Sequence, residues 1–166
     1  MLYLCRSRGN EAPTESYLLM SNTKEAQATW VYSDGGRSAY FTGKKVGDCV
    51  TRAVAIASGM DYKKVYNTFA KLEANRGRSR SAKNGVRTQT KAFKDQMREW
   101  GFEWVATMFI GSGCQVHLKA DELPKGRLVC MLSRHAAAVI DGVVNDTYDC
   151  SRNGSRCVYG YWIYKG

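Results

Sequence analysis

Histidine and proline are scarce in this chain, each occurring twice in 166 residues. Acidic residues are few beside basic ones, 15 against 25. No apolar run approaches the roughly 18 residues of a membrane span. The first nine residues, Met1 to Gly9, lack the long apolar region of a signal peptide. Two prolines and no low-complexity run argue against extended disorder. The missing spans and leader give an expected cytoplasmic location with no membrane partner. The acid deficit leaves a formal charge of +10, which favours an acidic partner or nucleic acid.

At 44% hydrophobic residues, the chain can bury a core and is expected to form one domain over 1–166. Six cysteines stand at 5, 49, 114, 130, 150 and 157. In the cytoplasm they are expected to be reduced, which leaves free thiols, metal ligands or catalysis.

The chain is organised around Val46-Gly47-Asp48-Cys49-Val50-Thr51-Arg52-Ala53-Val54-Ala55-Ile56-Ala57. This stretch reads as a loop entering a buried helix. Asp48 suits the N-cap, with its carboxylate accepting first-turn N–H groups. Cys49 then lies at the positive end of the helix, which favours its thiolate. The backbone N–H groups of Asp48 and Cys49 could also hold an oxyanion. A buried structural cysteine is the plainer alternative.

Residues 1–45 are a poorly determined front end, with short strands expected at 17–20 and 29–32 and a turn at Ser33-Asp34-Gly35-Gly36. Ser58-Gly59-Met60 ends the cysteine helix, and Asp61 caps the next. Tyr62, Val65, Tyr66, Phe69 and Leu72 predict an amphipathic helix over 62–75. A third is expected over 86–100, with Ala92, Phe93, Met97 and Trp100 inward. After Gly101 the pattern turns to strands, at 102–110, 127–132, 135–140, 143–147 and 156–164. Helices followed by an antiparallel sheet make an α+β fold.

Asp141-Gly142 between two apolar runs is a two-residue hairpin signal. Counting outward, Ile140 faces Val143, Val139 faces Val144, Ala138 faces Asn145 and His135 faces Tyr148. His135 and Asp146 then share a sheet face as diagonal neighbours, and Asn145 points to the other. Asp146 can hold the imidazole while its second nitrogen works on a thiol. Asn145 and Asp149 are the alternative orienters. Cys49, His135 and Asp146 together form a nucleophile, base and orienter set.

The order of these residues resembles that of papain-like cysteine peptidases: a Cys opening a central helix, a His starting a strand, and an Asp or Asn on the next. Gly47-Asp48-Cys49-Val50-Thr51-Arg52-Ala53 is similar to the nucleophile motif of ovarian-tumour-type deubiquitinases. Gly47–Ala57, Ile110–His117, Ser133–Asp146 and Tyr159–Trp162 also resemble small proteins of tailed bacteriophages and prophages. The resemblance implies a papain-like fold and a thiol hydrolase of peptide or isopeptide bonds. Cys49 would be the nucleophile, His135 the base and Asp146 the orienter, and no cofactor is needed. The Gln that papain-like enzymes often place about six residues before the Cys is missing from 43–45, leaving the oxyanion to Asp48 and Cys49 backbone. A phage origin implies the host cytoplasm, with a host or phage protein as substrate.

Two other constellations compete. Cys114, His117, Cys150 and Cys157 could give a structural zinc site, although Cys150-x6-Cys157 is not a standard zinc spacing and no metal is expected. Between 71 and 94, Lys71, Arg76, Arg78, Arg80, Lys83, Arg87, Lys91 and Lys94 face Glu73 as the sole acid. That basic stretch, centred on Arg76, Arg78, Arg80, Lys83 and Arg87, is either a solvated loop or a patch for nucleic acid or an acidic protein. It supports a non-enzymatic binding protein as the rival function.

Overall fold

Small residues decide how closely the first helix can approach the sheet. Helix α1 (Cys49–Ser58) buries Val50, Ala53, Val54, Ala55 and Ala57. Strand β4 (His135–Ile140) meets it with Ala136 and Ala138, each about 1% exposed or less. Alanine facing alanine brings the start of α1 close to the start of β4. The structure is a computed structural model, and it describes residues 29–43, 46–74 and 82–166.

The described elements run β1 (Thr29–Tyr32), α1, α2 (Tyr62–Ala74), α3 (Lys91–Glu99), β2 (Phe102–Ala106), β3 (Arg127–Leu132), β4, β5 (Val143–Asp146) and β6 (Gly160–Tyr164). The fold is α+β, with the six strands in one sheet ordered β1-β5-β4-β3-β6-β2. Four of its five pairings are antiparallel, and β1 joins β5 in parallel. The antiparallel sheet expected over 101–166 is present, and β1 adds a parallel strand at its edge. The helical segment lies between β1 and β5 in the chain, giving the long connection that parallel strands need. The expected strand at 17–20 lies outside the described residues.

The sheet has a core on each face. On one, α1, α2 and α3 cover Val129, Ala136, Ala138 and Trp162. On the other, Leu118, Leu123, Cys150 and Val158, from irregular segments, cover Leu128, Cys130, Val139 and Val144. Strand β6 is covered from both sides, with Trp162 in one core and Tyr161 and Ile163 packed against the other. Among the described residues, no helix is long and apolar enough to cross a membrane.

Several boundaries differ from expectation. Helix α3 begins at Lys91 rather than 86, because Thr90 caps it by accepting from Phe93 N–H at 3.2 Å. The residues before it serve as tethers: Lys83 C=O accepts from Gly47 N–H at 2.8 Å, and Arg87 N–H donates to Glu73 at 3.0 Å. Ala92 is exposed, one position off the face that buries Phe93 and Met97. Strand β2 stops at Ala106, and β6 starts at Gly160 because residues 156–158 bond to the 116–118 segment instead.

Cys114 and Cys157 form a disulfide, with Cα atoms 5.7 Å apart. The neighbouring His117–Cys157 bridge brings the two together. This corrects the expectation of six reduced thiols, and it removes the zinc quartet: His117 Nδ1 lies 3.0 Å from Glu122, and Cys150 sits beside His135. Disulfides persist in oxidising compartments, so the bridge does not follow from a cytoplasmic location.

Candidate active site

The Asp141-Gly142 turn has φ of +50° and +87°, the paired positive values of a type I′ hairpin. It sets Ile140 opposite Val143, Val139 opposite Val144 and Ala138 opposite Asn145, the register counted from the sequence. The ladder ends there, and His135 and Tyr148 instead pack with ring centroids 5.3 Å apart. A second tight turn, Ser133-Arg134, with Arg134 at φ +55°, starts β4 at His135.

His135 Nε2 lies 2.5 Å from Asp146 Oδ2. Both side chains are nearly closed to solvent. Asn145 is engaged elsewhere, donating to Val143 C=O at 2.9 Å, and Asp149 accepts from Ser151 N–H. Of the three candidate orienters, Asp146 alone meets the imidazole. Cys49, partly exposed at the start of α1, lies close enough to His135 and to Ala136 N–H for both to favour its thiolate. With Nε2 on the carboxylate, Nδ1 is the nitrogen left for the thiol. Cys49, His135 and Asp146 are therefore brought together from α1, β4 and β5.

The electrostatics follow from these contacts. Burial pushes the Cys49 thiol up, but the His135 bond and charge, Ala136 N–H and Arg52 outweigh it, so the net shift is down. Burial lowers the imidazolium of His135, while Asp146, Cys150 and Cys49 raise it further, to about 11. Burial likewise opposes the Asp146 carboxylate, but His135, Thr147 N–H and Arg52 hold it below its usual range. The three shifts all favour the charged forms, thiolate, imidazolium and carboxylate.

Asp48 departs from the expected cap. Its side chain makes no cap bond to the helix. The carboxylate is instead buried between Arg52, Arg37 Nε at 3.0 Å and Tyr62 Oη at 2.5 Å. Two guanidiniums and a phenol compensate a buried carboxylate better than backbone N–H groups that solvent can reach. Arg52 also donates to Asp146 Oδ1 at 3.4 Å, bridging the residue before Cys49 to the orienter. The backbone N–H of Cys49 remains one of the orphan donors of a helix's first turn.

Sequence reasoning assigned no site role to Arg37, Tyr62 or Trp30. Trp30 Nε1 and Ser33 N–H both donate to Asp146 C=O, at 3.1 and 2.9 Å, so β1 braces the orienter's backbone. Gly35, at φ +65°, crosses α1 so closely that a Cβ would lie 3.0 Å from Arg52 C=O. One signal was readable: Arg52 stands four residues after Asp48, the spacing of a helical ion pair. In the basic stretch, Arg76, Arg78 and Arg80 lie outside the described residues, while Lys83 and Arg87 are exposed.

A pH prediction follows from opposed shifts. The raised His135 stabilises the fold fully below its unfolded value of 6.5, and that stability is lost as pH rises toward about 11. The depressed Cys49 stabilises the fold above its unfolded value of 9.0, and that stability is lost as pH falls through the folded value. Between the folded Cys49 value and 9.0, the proton that folding removes from Cys49 offsets the one it adds to His135, so the two slopes oppose each other. Cys49→Ser leaves the His135 slope alone. Urea titrations of that variant between about pH 7 and 8 are expected to show stability falling by about 1.4 kcal/mol per pH unit, with a smaller slope in the parent. Equal slopes in the two proteins would exclude the pair.

No protein-family model, curated protein or solved structure matches the chain.

Proposed function

We propose that this protein is a papain-like thiol hydrolase that cleaves peptide or isopeptide bonds. The observation that carries this reading is the contact chain Cys49–His135–Asp146, built from a helix start and two adjacent strands. In this mechanism the Cys49 thiolate attacks the carbonyl carbon. The oxyanion forms against first-turn N–H groups of α1, including that of Cys49, with the Asp48 N–H as the proposed second donor. Protonated His135 gives its proton to the leaving amine as the acyl-enzyme forms. It then takes a proton from water, which attacks the acyl carbon and releases Cys49. Asp146 keeps Nε2 occupied and stabilises the imidazolium.

The favoured substrate is an acidic protein, of phage or host. Lys83, within the basic stretch, is tied through its carbonyl to Gly47, two residues before Cys49. Positive charge therefore lies beside the approach to the nucleophile, where it would act on encounter and register.

The test is covalent capture followed by cleavage. A peptide carrying a carbonyl-site electrophile should label Cys49 once per chain, read by mass spectrometry. Labelling should disappear in Cys49→Ser and fall sharply in His135→Ala. A proteome-derived peptide library should then be cut by the parent and not by Cys49→Ser. Neutralising Arg76, Arg78, Arg80 and Lys83 should reduce kcat/KM on acidic peptides about tenfold at low salt. Cleavage retained in folded Cys49→Ser would overturn the reading. Salt-sensitive binding of nucleic acid or acidic protein without any cleavage would favour the binding-protein alternative.

A further inference from the structure

The imidazole of His135 has two thiols beside it. Cys49 approaches from α1, and Cys150, in the irregular segment between β5 and β6, brings its Sγ within 4.8 Å of a ring nitrogen. Cys150 is free and 1% exposed. The proposed hydrolase has no use for it. One nitrogen of His135, one oxygen of Asp146 and Cys150 Sγ all lie within 4.8 Å of one another.

The geometry points to a zinc-binding site formed by His135, Asp146 and Cys150, separate from any use of Cys49 as nucleophile. Tetrahedral zinc, with bonds of about 2.0–2.3 Å, spaces its ligands by roughly 3.3–3.8 Å. The three donors, within 4.8 Å of one another, stand about an ångström or less from that spacing. One nitrogen, one oxygen and one sulfur suit zinc or a similar borderline divalent ion, whereas magnesium and calcium take oxygen donors. The outer contacts are also in place. Asp146 Oδ1 accepts from Thr147 N–H at 2.7 Å and from Arg52, which leaves Oδ2 for the metal. Binding displaces the proton shared by His135 Nε2 and Asp146 together with the thiol proton of Cys150, and both pass to solvent. A metal here would hold the nitrogen that Asp146 uses to orient the base. If the hydrolase reading holds, zinc is a reversible inhibitor, but the metal site itself does not rest on that reading.

The test reads metal rather than turnover. The full chain is stripped with a chelator and kept free of thiol reductants, so that Cys114–Cys157 stays closed. It is then titrated with zinc by equilibrium dialysis and with cobalt(II) by optical spectroscopy. The parent should take up one zinc per chain and show a thiolate-to-cobalt charge-transfer band. Cys49→Ser should keep both. Cys150→Ala and His135→Gln should lose the band and bind zinc at least tenfold more weakly, with unchanged circular dichroism. Absence of uptake by the parent, unchanged uptake in Cys150→Ala, or loss of the band in Cys49→Ser would each overturn the site. If Cys150→Ala does not fold, the Cys49→Ser and His135→Gln spectra still decide it. Failure of the hydrolase leaves this result standing, and failure of metal binding leaves the hydrolase standing.

Discussion

His135→Ala is expected to silence Cys49. In the parent the thiolate persists below its usual value of 9.0 because the imidazolium, Ala136 N–H and Arg52 outweigh burial. Removing the imidazole deletes its hydrogen bond and its charge and leaves burial, which pushes the thiol up. At about pH 6 the alkylation rate of Cys49 should fall by roughly two orders of magnitude, because only the thiolate reacts. Any hydrolysis by the site should fall by ~10³-fold or more, since the base and the pairing charge disappear together. Site-resolved mass spectrometry of alkylation against pH, in parent and variant, is the measurement. An unchanged profile would mean that His135 does not pair with Cys49 in solution. Cys130 serves as an internal reference: it is fully buried, and burial pushes its thiol up, so it should stay inert in both proteins.

The largest effect on stability is expected from Arg52→Met. Arg52 is 8% exposed and binds two buried carboxylates, Asp48 and Asp146. Met matches much of its length without its charge. Asp48 would keep Arg37 and Tyr62, and Asp146 would keep His135, so neither is stranded completely. Even so, removing one partner of a buried ion network costs about 3–5 kcal/mol, because the remaining charges lose compensation that water cannot replace. That is a large share of a typical stability of about 5–15 kcal/mol. Urea denaturation at neutral pH measures it, and a loss below about 1 kcal/mol would show that Arg52 is dispensable. Arg52→Lys should recover part of the loss, since a lysine keeps the charge but cannot fork between the two acids. Arg52 also holds Asp146 Oδ1, so the variant should make Cys49 less reactive at low pH, which a purely structural residue would not do.

Local chemistry made part of this protein legible from its residues. The Asp-Gly turn dictates a two-residue hairpin, and strand alternation then carries His135 and Asp146 to the same side without any knowledge of the rest of the chain. The helical spacing of Val65 and Phe69 and the stop at Gly59 act within one or two turns of backbone, so α1 and α2 were readable too. So was the preference for Asp146 over Asn145, because a register of period two puts Asp146 on the face of His135 and Asn145 on the other.

Other features depended on groups far apart in sequence. Asp48 looked like a cap because capping is local, but burial beside Arg37, Arg52 and Tyr62 gives its carboxylate stronger partners. The parallel docking of β1 on β5, with the Trp30–Asp146 hydrogen bond reaching across 116 residues, has no local signature. The Cys114–Cys157 disulfide and the placement of Cys150 beside His135 depend on how irregular segments fold over the second sheet face. Cysteine spacing alone cannot distinguish those outcomes. The sequence by itself determined which residues could be nucleophile, base and orienter, because turn geometry and helix polarity are properties of short segments. Only the tertiary structure decided what surrounds them, because burial and long-range pairing set the partners of every charge in the site.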